Sequence, residues 1–281
     1  MAEPTPAAPR PLLALENVTR VFRTRAGLVR AVDDVTLRLD AGQVLCLVGE
    51  SGSGKTTTAR IAAGLTTPTT GSVRFDGTDI RRLRGGEFTA FRRAVQYVHQ
   101  DPYASLNPIR DIFATIAAPL RRHRLVRGRA EAWQRACELL AAVDLTPPEQ
   151  FLKKFPHQLS GGQRQRVSVA RALTLGPRLI IADEAASMLD VSIRVSLLNL
   201  LMRLRDELGV AFLFITHDLA IAKYFGWQGT TAVMHRGRIV ESGPTPQVIN
   251  EPRHEYTRAL LEAVPEPDPD LARRKREKRL A

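Results

Sequence analysis

Gly49-Glu50-Ser51-Gly52-Ser53-Gly54-Lys55-Thr56-Thr57 is the stretch whose reading decides the fold. It meets the phosphate-binding P-loop pattern G-x-x-x-x-G-K-[ST] at every fixed position. Val44-Leu45-Cys46-Leu47-Val48 before it is an apolar run of buried-strand type. The segment after it, residues 58–64, reads as a helix ending in a glycine cap. A glycine-rich turn with an incidental lysine would lack this strand, loop and helix context. The glycines let the backbone fold closely enough for successive N–H groups to face phosphate oxygens, and the helix N-terminus adds partial positive charge. Lys55 can then reach the β- and γ-phosphates, and the Thr56 hydroxyl can ligate Mg²⁺.

The chain has 281 residues with 44% hydrophobic content, enough for one large domain or two small ones. No apolar run approaches the roughly 20 residues that span a bilayer, so the chain is expected to be soluble by itself. Residues 1–11 are rich in Ala and Pro without an apolar core, and read as a disordered leader and not a secretion signal. Cys46 and Cys137 offer neither a disulfide framework nor a metal-cluster spacing, and are expected to be reduced thiols in a cytosolic protein. The formal charge is +12, carried by 35 Arg and 6 Lys, with concentrations at residues 81–93, 121–135 and 273–279. These read mainly as solvated faces, with the tail as the candidate for anionic lipid headgroups. Aromatic residues are not interleaved with them, which argues against nucleic acid as a partner.

Two half-buried strands, at residues 12–21 and 31–39, suggest an antiparallel sheet beside the P-loop core. Phe22 sits where an aromatic can face a bound base, or else it is an ordinary core phenylalanine. A short strand at 71–77 and a buried one at 94–98 follow, and the second delivers His99-Gln100 into a loop. A Gln at the ligand edge of such a sheet can reach Mg²⁺ or the attacking water.

From residue 111 to about 175 the chain turns helical. Ala132, Trp133, Ala136, Leu139, Leu140 and Val143 fall at helical spacing, and Pro147-Pro148 breaks the chain. At the end of this block stands Leu159-Ser160-Gly161-Gly162-Gln163, followed by a helix expected over 167–175. The Ser hydroxyl, two glycines and a helix N-terminus form a second anion-binding device. One chain holding one nucleotide hardly needs two, so the second is expected to serve a nucleotide held by a partner chain.

The apolar strand Leu179-Ile180-Ile181-Ala182 ends in Asp183-Glu184. Asp183 can organise Mg²⁺ through water and Glu184 can accept a proton from a water attacking the γ-phosphate, unless the pair is a solvated acidic turn. Asp190 opens an amphipathic helix over 191–208. The strand at 210–215 ends in Thr216-His217, whose ring is either a structural hydrogen-bonder or a contact to the γ-phosphate. A hairpin turning at Arg236-Gly237 and two short helices close the chain.

Together these residues resemble the ATP-binding subunits of ABC transporters over residues 12–264. Gly49–Thr56 is similar to the Walker A motif, Gln100 to the Q-loop, Leu159–Gln163 to the LSGGQ signature, Leu179–Glu184 to Walker B, Asp190 to the D-loop and His217 to the H-loop. Residues 100–108 and 254–261 resemble the oligopeptide/dipeptide importer branch. The resemblance implies an α/β fold: a P-loop NTPase (RecA-like) core with an antiparallel β subdomain, an inserted α-helical subdomain at about 111–175, and a basic C-terminal tail at 265–281.

It also implies ATP and Mg²⁺ as ligands, with Thr56, Gln100 and Asp183 at the metal. Glu184, His217, Gln100 and Lys55 carry the hydrolysis. The partner's nucleotide meets Ser160, Gly161, Gly162, Gln163 and Asp190, while Phe22 meets the adenine. The partners implied are a different second ATP-binding subunit, two integral membrane permease subunits and an extracytoplasmic solute-binding protein, which places the chain peripherally on the cytoplasmic face of the inner membrane. The rivals are an ATPase-like component of a soluble carbon–phosphorus lyase type of complex and a non-transport regulator of translation or DNA repair, a class that usually carries two fused nucleotide domains or a long coiled coil, neither visible in this sequence. Ala185, Ala186 and Met188 depart from the Pro, Thr and Ala usual in relatives. Some members carry a cysteine-ligated iron–sulfur cluster in the C-terminal extension; with no cysteine after Cys137, none is expected here.

Overall fold

The computed structural model describes residues 10–25, 27–101 and 105–263. Most of the leader, the basic tail and Pro102, Tyr103 and Ala104 of the stretch after Gln100 lie outside the described residues.

Two sheets organise the fold. A six-stranded sheet has the order β10-β9-β3-β8-β7-β6, built from β3 (Val44–Val48), β6 (Val95–Val98), β7 (Leu179–Asp183), β8 (Ala211–Thr216), β9 (Thr230–His235) and β10 (Arg238–Pro244). All pair in parallel except β10, which returns antiparallel along β9. Every residue of β3, β7 and β8 is buried, as expected of parallel strands covered on both faces.

Successive side chains on these strands serve different cores. Val44, Cys46, Val48, Ile180, Ala182, Phe212 and Phe214 join the helical side, whereas Leu45, Leu47, Leu179, Ile181, Leu213 and Ile215 face the antiparallel sheet. The pleat therefore builds two cores from one sheet. Phe212 and Phe214 both meet Phe225, with ring centroids 5.6 and 4.8 Å apart. Each such buried ring contributes about 1.5–3 kcal/mol. Burial also pushes the free Cys46 thiol up to about 12.

The four-stranded antiparallel sheet has the order β2-β1-β4-β5: β1 (Leu13–Thr24), β2 (Gly27–Leu39), β4 (Thr70–Phe75) and β5 (Thr78–Asp79). The β1–β2 hairpin is longer than its sequence suggests, because the polar residues at its tip still pair, as in Arg23 with Leu28. Helix α1 (Lys55–Ala62) starts three residues earlier than the apolar pattern indicates, directly on the P-loop. Helix α2 (Gly85–Ala94) occupies the arginine-rich stretch and buries a single residue, Phe91.

The helical block holds α3 (Ile112–Arg122), α4 (Arg129–Ala142), α5 (Pro148–Leu152) and α6 (Gly161–Leu173). Its apolar stripe packs as spaced: Ala132, Ala136, Leu140 and Val143 are fully buried, and Trp133 meets Phe113 at 5.1 Å. The helix expected from residue 167 in fact begins at Gly161. Ser160 caps it by accepting from the Gln163 N–H at 3.2 Å, while Gln163 Oε1 accepts from the Ser160 N–H at 3.0 Å. This reciprocal box lets the glycine pair enter the first helical turn. Helices α7 (Val191–Leu208), α8 (Leu219–Phe225), α9 (Thr245–Asn250) and α10 (Glu255–Ala263) are the remaining helices among the described residues. Among the described residues no helix is long and apolar enough to cross a membrane.

Candidate functional site

Strand register gathers the site. Val48 pairs with Thr216, Asp183 with Ile215 and Val98 with Ala182, so four parallel strands end along one edge. Just beyond those ends come Gly49, His217, Glu184 and, after His99, Gln100. Ligands of open α/β sheets collect at this edge.

The P-loop is closely packed there. A Cβ on Gly49, at φ 152°, would collide with the Met234 carbonyl oxygen of the neighbouring β9. Lys55 is 4% exposed, and its Nζ donates to the carbonyl oxygens of Gly49 and Glu50, each at 2.7 Å. Burial pulls the ammonium below its usual pKa, opposed by the carboxylates of Glu184, Asp183 and Glu50. Ser53 is 6% exposed with a hydroxyl that has no protein partner. Ser51, Gly52 and Thr56 are exposed, and Gly54 is half-buried at the N-cap of α1. An exposed loop of N–H groups with a buried lysine and a spare hydroxyl fits a polyphosphate.

Asp183, 5% exposed, receives the Thr56 hydroxyl at 3.1 Å on Oδ1 and the Tyr97 hydroxyl at 2.7 Å on Oδ2. Burial pushes its carboxyl above the ordinary range, against those two hydrogen bonds. The Tyr97 hydroxyl is itself pushed up, first by burial and then by Asp183. Thr56 and Asp183 thus converge as hard oxygen donors, the type that Mg²⁺ prefers.

Glu184 is held differently. Its backbone is left-handed at φ 48°, a conformation costing a non-glycine residue about 1–3 kcal/mol. Three hydrogen bonds hold it: its N–H donates to Ile215 O at 3.0 Å, and its carbonyl accepts the Ser187 N–H at 3.0 Å and the Ser187 hydroxyl at 2.8 Å. Its side chain meets a different pair of partners from those of Asp183. Gln100 Nε2 donates to Glu184 Oε2 at 3.1 Å, and His217 Nδ1 stands 3.4 Å from the same oxygen.

Lys55, Thr56, Gln100, Asp183, Glu184 and His217 are therefore brought to one strand edge, Thr56 grouped with Asp183, Gln100 and His217 with Glu184, and Lys55 held by its own loop carbonyls. Phe22, Asp190 and the Ser160–Gln163 device stand outside those groups. Phe22 is half-buried opposite Val29 on the β1–β2 hairpin, with the Arg20 guanidinium 4.6 Å from its ring centroid. Asp190 is exposed at the start of α7, its side chain making no capping bond. Gly162 is buried, and a Cβ there would approach Ile193 Cγ2 to 2.5 Å. Tyr97, Ser187 and Tyr256, whose hydroxyl oxygen accepts the Glu50 N–H at 3.0 Å, are contributors that the sequence pattern did not single out.

A cleft of about 950 Å³ opens between the sheet domain and the helical block, lined among others by Phe88, Arg92, Gln96, Arg122, His123 and Arg171. Its floor includes the strand β6 that leads to Gln100.

The ABC transporter family model matches residues 32–187, and the model for the oligopeptide/dipeptide transporter C-terminal region matches residues 240–280. The chain is similar to the probable peptide ABC transporter ATP-binding protein y4tS of Sinorhizobium fredii, 46% identical over 93% of this chain and 75% of that protein. It is 45% identical to the glutathione import ATP-binding protein GsiA of Pectobacterium atrosepticum over 97% of this chain, but spans only 44% of that relative's length. Among solved structures, the dimeric post-hydrolysis ATP-binding cassette MJ0796 bound to ADP and Pi superposes with a TM-score of 0.73, at 32% identity over 83% of this chain and 98% of that one.

Proposed function

The chain belongs to the ABC transporter family of ATP-binding proteins, and from that premise we propose that it is the ATP-hydrolysing subunit of an importer for peptides or a related solute. ATP is its substrate, and the peptide branch is supported by the match to the oligopeptide/dipeptide C-terminal region and by the names of its relatives. The soluble multienzyme alternative finds no support among those relatives, which are named for peptide and glutathione import.

The observation that carries the hydrolytic reading is the Glu184 carboxylate, fixed by Gln100 and His217 one residue beyond Asp183. Lys55 would exchange its two loop carbonyls for the β- and γ-phosphates, and the N–H groups of Ser51, Gly52 and Gly54 would line them. Thr56, Asp183 and Gln100 would hold Mg²⁺, with Tyr97 keeping the Asp183 carboxylate oriented. Mg²⁺, when bound, neutralises phosphate charge as the bond breaks. Glu184 accepts the proton of the attacking water, while His217 faces the γ-phosphate. Ser160 and Gly162 serve a nucleotide on a second ATP-binding subunit across a head-to-tail interface, which Asp190 also borders. Phe22 offers its ring to adenine.

Closure of the two subunits on ATP and their parting after hydrolysis would drive two permeases. The cleft beside β6 is where a permease element would touch the sheet domain and the helical block together, with exposed Phe88 as an apolar anchor among arginines. This puts the chain peripherally on the cytoplasmic face of the membrane, with the solute delivered by an extracytoplasmic binding protein.

Isolation of a tagged chain from gently solubilised cells tests this. Co-purification of two polytopic permeases and a second ATPase is expected, and recovery of soluble enzymes alone overturns the transport reading.

A further inference from the structure

The C-terminal region reaches the phosphate loop through the Tyr256 hydroxyl. The Tyr256 hydroxyl oxygen accepts the Glu50 N–H at 3.0 Å, across 206 positions of sequence. That N–H belongs to the same peptide plane as the Gly49 carbonyl, and the Gly49 carbonyl oxygen accepts Lys55 Nζ at 2.7 Å. One rigid peptide unit is thus held at both ends, by Tyr256 on the amide side and Lys55 on the carbonyl side. Gly49 cannot relax toward β9, because its backbone already abuts the Met234 carbonyl.

Tyr256 is itself firmly set. Its ring stands edge-on to His235 with centroids 3.9 Å apart, and its N–H donates to His254 Nδ1 at 3.1 Å. The turn before it hangs on Glu241 of β10, whose carboxylate accepts the N–H groups of Arg253 at 2.9 Å and His254 at 3.1 Å. A continuous set of contacts runs from β10 through the start of α10 to the lysine of the P-loop.

We propose that Tyr256 is a positioning residue for nucleotide binding: by fixing the Gly49–Glu50 peptide it sets where Lys55 rests, and so couples the C-terminal segment to the phosphate site. The inference rests on the nucleotide role given to Lys55. Loss of one neutral hydrogen bond predicts a modest effect on affinity, and that effect must pass through the lysine.

The test is a double-mutant cycle read by calorimetric titration with ADP, which is not hydrolysed, on the full chain, Tyr256→Phe, Lys55→Ala and the double variant. Tyr256→Phe is expected to weaken ADP binding roughly three- to tenfold in the parent and less than about twofold beside Lys55→Ala. An equal factor in both backgrounds, or no change in the parent, overturns the proposal. Failure of the parent to bind ADP at all would instead remove the nucleotide reading on which it stands, and is seen before any variant is compared. Amide hydrogen exchange of the nucleotide-free parent gives a readout that needs no variant. A protected Glu50 amide is expected, and exchange at the rate of the exposed loop residues counts against the contact.

Discussion

Gln100 and Glu184, 84 positions apart in the chain, share a hydrogen bond of 3.1 Å from Nε2 to Oε2. The acceptor is also the oxygen nearest His217, so one carboxylate oxygen is engaged by two side chains while the left-handed backbone fixes its direction. Glu184→Gln keeps the shape and the possibility of hydrogen bonding but removes the proton acceptor. ATP affinity should stay within about twofold and steady-state turnover of the assembled transporter should fall about 10²- to 10⁴-fold. Phosphate-release assays beside equilibrium nucleotide titration check this, and comparable turnover in mutant and parent would remove Glu184 as the base.

Lys55 makes its two 2.7 Å bonds to loop carbonyls from a buried position between acidic neighbours. An ammonium so placed moves to phosphate oxygens at little conformational cost, and charge-assisted bonds of this kind are worth about 1.5–3 kcal/mol. Lys55→Ala should therefore weaken ATP and ADP binding by roughly 10- to 100-fold. Unchanged affinity in a direct titration would contradict the phosphate role.

The strings that carry Lys55, Asp183-Glu184 and His217 are legible because the chemistry of each is local: a glycine-rich loop with its lysine, a strand ending in two acids, a strand ending in Thr-His. The sheet's apolar strands were legible for the same reason. Contacts between distant strings were not. Tyr97 reaches Asp183 across 86 positions and Tyr256 reaches Glu50 across 206, and a tyrosine in a strand or helix gives no sign of which carboxylate or amide it will meet. Helix α2 leaves no such signal in the sequence, because Phe91 is its only buried residue and no apolar period results. The early start of α6 had a usable signal in Ser160-x-x-Gln163, a capping-box string that the adjacent glycine pair outweighed.

Gly162 separates two reasons for a glycine. A Cβ at this position would lie 2.5 Å from Ile193 Cγ2, independently of any phosphate. Gly162→Ala should destabilise the chain by about 1–3 kcal/mol, and Ile193→Ala in the same chain should relieve part of that loss. Thermal melting of both single variants and the double variant measures the coupling, and strictly additive losses would contradict the clash. ATP hydrolysis that stays low in the refolded double variant would show that the glycine is also needed for phosphate approach.

Asp144 ties the helical block to the rest of the chain. Its Oδ2 accepts Arg166 Nη1 of α6 and its Oδ1 accepts Arg203 Nη2 of α7, each at 2.7 Å, and the same arginines hold the carbonyls of Val143 and Ala142. Burial pushes the Asp144 carboxyl up, but the Arg166 and Arg203 hydrogen bonds outweigh it and hold it below its ordinary value of 3.8. A depressed folded-state value means the unfolded chain binds the proton first. The stabilisation is therefore complete above about pH 4 and is lost as pH falls through the lower folded-state value. The side chain is 45% exposed, so screening limits the two pairs together to about 1 kcal/mol. Asn tolerates the left-handed backbone that Asp144 adopts at φ 56°, so Asp144→Asn removes charge with little strain. Urea midpoints should differ between parent and Asp144→Asn at pH 7 and converge below about pH 3.8. A gap that persists unchanged into that acid range would mean that the two arginines do not depress the carboxyl, and that the clasp holds through the backbone carbonyls alone.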